Sequence, residues 1–202
     1  QKFKSNFLIT HFFNPPRYLK LLEIVSSKEV NAETREKIAK FCDIYLGKSI
    51  IECKDTPGFI ANRIGVFWML HAAVKAINAN LSVEEADQII MRVFNAPKTG
   101  VFGLIDVVGL DLLPPVLESL LQGVSKNDDY HEFRDQPDIF QYMLEHNLIG
   151  RKADGGFYKL IEVGGKRVKH SLNLNTREYE VSKKPSIESL TFGKKDIKSF
   201  LD

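Results

Sequence analysis

The sequence predicts the closing part of an α/β domain followed by an all-helical domain, and three observations predict it. Short apolar runs bounded by turn residues occupy positions 7–12, 20–25 and 49–53, the pattern of buried strands. A segment with apolar residues at helical spacing, 32–46, lies between the second and third runs. From residue 56 the pattern changes to helical periodicity, which continues to residue 148.

Taken in order, the first run (Phe-Leu-Ile-Thr-His-Phe) ends at Asn14-Pro15-Pro16 and the second at Ser26-Ser27. Ile38, Phe41, Cys42, Tyr45 and Leu46 mark the helix that follows, and Gly47 stops it. Ser49–Cys53 is the third strand, and a strand-helix-strand order at this spacing implies a parallel pair. Asp55 or Thr56 is expected to cap a long helix with Pro57 in its first turn, carrying Phe59, Arg63, Val66, Phe67, Leu70, Val74 and Ile77. Ser82 starts another helix, with Glu85 at the capping-box position. Further helices are expected at Gly109–Leu121, delayed or kinked by Pro114-Pro115, and at Pro137–His146. Gly150–Tyr158 reads as a glycine-rich turn into a short strand, and 159–202 as a hairpin around Gly164-Gly165 with a polar tail or linker. Three strands and one helix cannot cover both faces of a parallel sheet, so residues 1–54 are expected to be the end of a larger α/β domain. The portion before Gln1 is expected to amount to about 150 residues, the scale of one domain.

The 202 residues include 28 Lys+Arg and 26 Asp+Glu, with 44% hydrophobic residues, which excludes disordered and collagen-like classes. Residues 151–202 carry a net charge of +5, so that stretch is either a solvated surface or a contact for an anionic ligand. A nucleic-acid role would rest on that charge with no accompanying motif, so no nucleic-acid partner is expected. The longest unbroken apolar run is five residues, Val66–Leu70, too short to span a membrane. Cys42 and Cys53 sit in apolar surroundings without metal-ligand spacing, as buried thiols of a reducing compartment do, and no metal site is expected.

Two polar features stand out from these patterns. His11 closes an apolar strand, and Glu23 lies inside the next one among Leu21, Leu22, Ile24 and Val25. A buried carboxylate needs a partner, and an imidazole held by a carboxylate has the fixed tautomer a general base requires. Spacing leaves two readings, a catalytic dyad or a satisfied structural pair. Asn62 shares the apolar stripe of its helix with Phe59, Val66 and Leu70, so its amide either caps a neighbouring loop or orients a substrate carbonyl. The remaining candidates read as structural: His71 as a satisfied core histidine; His131, His146 and His170 as surface residues; Asp87, Asp106 and Asp111 as caps; and Phe59, Phe67 and Trp68 as core. The sequence contains no G-x-G-x-x-G.

His-Phe-Phe-Asn-Pro-Pro at 11–16, followed by Lys20-Leu-Leu-Glu23-Ile, resembles the signature of the L-3-hydroxyacyl-CoA dehydrogenases. The resemblance continues through Lys54-Asp55-Thr56-Pro57-Gly58-Phe59-Ile60-Ala61-Asn62-Arg63. It extends to Leu104-Ile-Asp106-Val-Val-Gly109-Leu-Asp111 and to Gly150-Arg151-Lys152-Ala-Asp-Gly155-Gly156-Phe157-Tyr158. The subtype it is most similar to is the multifunctional fatty-oxidation protein, in which the dehydrogenase is joined to an enoyl-CoA hydratase. The resemblance implies that residues 1–54 are the last strands of a Rossmann-type NAD-binding domain and that 55–158 form the helical C-terminal domain. It implies His11 as the catalytic base, Glu23 as its acidic partner and Asn62 as the substrate-site residue, with Asn14 and Lys152 near the cofactor. It also implies an acyl-CoA substrate, NAD, a homodimer, a possible hydratase domain in the same parent chain, and the bacterial cytoplasm or mitochondrial matrix as location. Asp154 stands where the family commonly has glycine, and the fingerprint glycines precede His11 in the family. The isolated chain is therefore expected to be inactive and not to bind NAD usefully. The alternative is a non-enzymatic remnant or dimerisation module of the same family.

Overall fold

The computed structural model describes residues 3–94 and 98–185. It divides into two compact units, Gln1–Gly65 with Ser119–Ser125 and Val66–Glu118 with Lys126–Asp202. In the first unit, β1 (Ile9–Phe12), β2 (Leu21–Val25) and β3 (Ser49–Cys53) form a sheet in the order β1-β2-β3. β1 runs antiparallel to β2, and β3 runs parallel to it after the crossover helix α1 (Ala32–Ile44). β2 is the central strand, which is why its Leu22, Ile24 and Val25 are buried and why it reads as unbroken apolar sequence around one carboxylate. Of the α1 positions expected to face a core, only Cys42 is buried; Phe41 and Tyr45 lie exposed. The expected pairing of strands around the helix is present.

The long helix departs from the expectation at its start. α2 (Ala61–Asn78) begins at Ala61 rather than at Pro57, because Gly58 (φ +73°) and Phe59 (φ +48°) adopt left-handed backbone and close a turn through the Phe59 N–H to the Thr56 carbonyl. Neither Asp55 nor Thr56 caps it. The Pro57-Gly58 dipeptide is itself a turn signal that outweighs the helical spacing.

In the second unit α3 (Val83–Val93) carries the expected capping box, with Ser82 and Glu85 bonded reciprocally. α4 (Phe102–Val108) is a helix the spacing did not reveal. The helix expected from Gly109 is delayed by a 3-10 turn and runs as α5 (Leu113–Gly123), with Pro114-Pro115 in its first turn. α6 (Asp138–Glu145) follows. Phe67 packs edge-on against Tyr130 and Phe133, in line with its core assignment. The stretch expected as hairpin and tail is a three-stranded antiparallel sheet, β4 (Tyr158–Val163), β5 (Lys166–Leu172) and β6 (Tyr179–Val181), turning at Gly164-Gly165 where both φ angles are positive. The tail beyond residue 185 lies outside the described residues. No helix among the described residues is long and apolar enough to cross a membrane.

Four polar residues differ from their expected roles. His170 is buried in β5 rather than on the surface. His71 is half-buried and stacked on Phe67, but its Nδ1 is buried without a hydrogen-bond partner, so it is not a satisfied core histidine. Asp87 and Asp106 do not cap their own helices. Asp87, inside α3, accepts the N–H groups of Phe102 and Gly103 at the start of α4 and the Tyr158 hydroxyl at 2.8 Å. Asp106, inside α4, accepts the Phe157 and Tyr158 N–H groups, each at 2.8 Å. Their partners lie 15 or more residues away in sequence, beyond the reach of a helix-spacing argument.

Burial pushes both carboxyls up to about 6, against the pull of their N–H donors. The folded state therefore takes up protons between about pH 4 and pH 6, so the contribution of these groups to stability declines as pH rises through that window. Asp106→Asn keeps one acceptor oxygen and sets an amide against the second N–H. A cost of about 1–3 kcal/mol is expected. Thermal midpoints at pH 4.5 and pH 7 should show the variant losing the share of this slope that Asp106 supplies.

Candidate active site

The pairing register sets His11 directly opposite Glu23 on one face of the first sheet. The His11 Nδ1 lies 2.7 Å from Glu23 Oε2, with the imidazole side chain 28% exposed and the carboxylate 1%. The other oxygen, Oε1, accepts the backbone N–H of Ala61 at 2.8 Å and of Ile60 at 3.0 Å, and the Cys53 thiol lies 3.5 Å from it. The Gly58-Phe59 turn thus aims the first N–H groups of α2 at a carboxylate on β2, placing the anion at the positive end of a helix. Burial works to raise the Glu23 pKa, but the His11 hydrogen bond and the two backbone N–H groups outweigh it, and the net shift is downward.

An ionised carboxylate only accepts, so Nδ1 carries the imidazole proton toward Glu23 and the neutral ring keeps a lone pair on Nε2. Phe13 and Phe59 flank the ring, with centroids at 4.7 and 5.7 Å. Phe59, expected as core, is instead part of this wall.

Asn62 follows Ala61 directly in α2. It is half-buried rather than buried, and its amide takes no hydrogen bond from the described residues, so the loop-capping reading fails and its donors stay available. Asn14 is exposed, three residues beyond His11. Lys152 belongs to the second unit, where its amine sits 2.7 and 2.8 Å from the two oxygens of Asp111. Asp111, expected as a cap, is the anchor of that lysine.

Sequence reasoning missed Cys53 as a neighbour of Glu23, Lys48 beneath the 13–20 loop, and the turn that presents the α2 N–H groups. Only the last had a legible signal, the Pro-Gly dipeptide. A Cβ at Gly58 would lie 2.6 Å from Leu120 Cδ2 on a backbone with φ +73°. Gly58→Ala is expected to cost about 1–3 kcal/mol through strain and the clash. Hydrogen exchange at Ile60 and Ala61 should rise in that variant; unchanged protection of both amides would remove the turn from the site.

Residues 58–160 match the family described as 3-hydroxyacyl-CoA dehydrogenase, C-terminal domain, and residues 1–56 match the NAD binding domain of the same enzymes. The chain belongs to the 3-hydroxyacyl-CoA dehydrogenase family. It is 45% identical over 184 residues to a putative fatty acid oxidation complex trifunctional enzyme of Rickettsia prowazekii, covering 91% of this chain and 26% of that protein. It is 41% identical to a probable 3-hydroxyacyl-CoA dehydrogenase of Bacillus subtilis over 78% of this chain and 20% of the relative. Among solved structures, FadB2 of M. tuberculosis superposes with a TM-score of 0.69 and 27% identity over 78% of this chain and 53% of its own. The chain thus spans about a fifth to a quarter of the length of the Bacillus and Rickettsia relatives and about half of FadB2.

NAD is the cofactor of this 3-hydroxyacyl-CoA dehydrogenase family, and the residues in hand fit one end of it. An imidazole with Nδ1 held by Glu23 and an open Nε2 can accept a proton there. A phosphate cradle is not among the described residues: the sequence has no G-x-G-x-x-G, and the helix N-terminus nearest His11 is already filled by Glu23.

Proposed function

We propose that this chain supplies the proton-handling residues and the helical domain of an NAD-dependent L-3-hydroxyacyl-CoA dehydrogenase that oxidises 3-hydroxyacyl-CoA to 3-ketoacyl-CoA in fatty-acid β-oxidation. The observation that carries the reading is the His11–Glu23 pair, whose geometry leaves Nε2 free to accept a proton. His11 takes the C3 hydroxyl proton through Nε2, and the electron pair of that O–H bond becomes part of the new carbonyl. Bound NAD+ supplies the acceptor for the hydride that leaves C3. The positive charge then carried by His11 faces the Glu23 anion at 2.7 Å, which α2 keeps ionised and in place. Asn62 donates its free amide hydrogens to a substrate carbonyl oxygen, and Asn14 and Lys152 are the cofactor-side residues.

Residues 1–54 are, on this reading, the last strands of a Rossmann-type domain. The exposed Phe3, Phe7, Ile9, Phe12, Phe41 and Tyr45 support it, because a completed sheet with helices on both faces would cover such groups. The parent enzyme is a homodimer associating through the helical unit, where Val107, Val108 and Leu112 stay exposed. It works in a bacterial cytoplasm or mitochondrial matrix. The name of the Rickettsia relative, a putative fatty acid oxidation complex trifunctional enzyme, supports a multifunctional parent, and a hydratase domain in that parent is part of the proposal.

The test is reduction of NAD+ by L-3-hydroxybutyryl-CoA, followed by absorbance in the parent protein and in the 202-residue chain. Turnover by the parent and none by the chain is the expected result. A parent that binds both ligands but does not turn over would leave the dimerisation-module reading in its place.

A further inference from the structure

Lys48 is buried to 8% exposure, yet no carboxylate lies within ion-pair distance of it among the described residues. A buried ammonium without a counter-ion is costly, so its retention calls for a reason. Its stem is fixed by the end of α1, where the Gly47 and Lys48 N–H groups bond back to the Asp43 and Cys42 carbonyls. From there the amine donates to the Leu19 carbonyl at 2.7 Å and to the Pro16 carbonyl, and it sits 5.7 Å from the centroid of the Phe12 ring. Both acceptors belong to the 13–20 loop joining β1 to β2, which bends by bonds from the Tyr18 and Leu19 N–H groups to the Pro15 carbonyl. That loop begins at Phe13, whose ring packs on His11, and continues with the exposed Asn14.

We propose that Lys48 is a positioning residue: its buried ammonium pins the 13–20 loop from beneath, holding Phe13 against His11 and presenting Asn14. Its role is to hold the loop, since two of its three N–H donors go to loop carbonyls. Within the loop Tyr18 is 74% exposed and Leu19 43%, so apolar packing alone does little to hold it. A charge-assisted bond to two carbonyls is the stronger restraint available there.

Amide hydrogen exchange tests the structural half in the full-length parent protein, independently of the dehydrogenase reading. In Lys48→Met, which keeps the stem and removes the donors, the Tyr18 and Leu19 amides should exchange at least tenfold faster while Ile24 and Val25 keep their protection. Unchanged loop exchange, or equal loss of protection in the sheet, would overturn the proposal. The kinetic half rests on the proposed dehydrogenase function. Lys48→Met should raise KM for NAD+ about tenfold with kcat within threefold and the shape of the pH profile retained, and Lys48→Arg should recover most of the loss. A fall in kcat with a displaced pH profile would instead make Lys48 part of the proton chemistry. Absence of turnover in the wild-type parent would count against the dehydrogenase reading alone, because the exchange result would stand.

Discussion

On the proposed dehydrogenase reading, His11→Ala in the parent protein should lower turnover by about 10²–10⁴, the usual loss when a general base is removed. The geometry makes the expectation specific. Only Nε2 of His11 is open, because Nδ1 is held 2.7 Å from Glu23, and the flanking Phe13 and Phe59 rings offer no substitute base. Binding of NAD+ and of acyl-CoA should change little, since the ring's hydrogen bond runs to Glu23 and not to a binding group. Measuring kcat beside ligand affinities separates the two effects, and turnover within tenfold of wild type would sink the assignment of His11.

Glu23→Gln should be at least as damaging, for a reason read from the two carboxylate oxygens separately. Oε1 accepts from Ile60 and Ala61, so a glutamine must place its oxygen there and its NH2 group toward His11. Nδ1 would then have to accept, the ring proton would move to Nε2, and the base would be lost. A fall on the order of 10³–10⁴ in kcat is expected from a wrong tautomer of this kind. Glu23→Ala removes the partner of two N–H groups and a histidine together, and should cost about 3–5 kcal/mol of stability.

The pH dependence of the fold supplies a second check on Glu23. Its pKa is lowered in the folded state, so its stabilising contribution is present above the ordinary carboxylate value of 4.5 and is lost as pH falls below that through the folded value. The stability gap between wild type and Glu23→Gln should therefore be widest near neutrality and shrink in acid. A gap that stays constant from pH 7 to pH 3 would mean that Glu23 is not held as an anion.

Much of the local structure was legible because it follows from short-range rules. Strand positions came from apolar runs ending at prolines and serines, and the Ser82–Glu85 box came from two residues three apart. A carboxylate inside Leu-Leu-Glu-Ile-Val announced that Glu23 needed a partner, and the strand-end histidine was the right one. The start of α2 departs from the helical period because the Pro57-Gly58 turn, with left-handed backbone at Gly58 and Phe59, overrides it. Asp87 and Asp106 looked like ordinary caps because their acceptors' partners, Phe102 and Phe157, are distant in sequence. Lys48 gave no signal, since a lysine after a helix-ending glycine is most often a solvated one.

By itself, then, the sequence determined the family, the strand-helix-strand order, and the identity of the residues that had to leave water with a partner. The tertiary structure decided what each buried charge faces. Glu23 is bonded to backbone N–H groups 37 and 38 residues further along the chain, at a helix start that exists only because Gly58 and Phe59 turn left-handed. Local sequence reports which groups are buried and at what period. The partner of a buried charge depends on where the chain comes back, and that is set by the packing of whole elements rather than by any window of neighbouring residues.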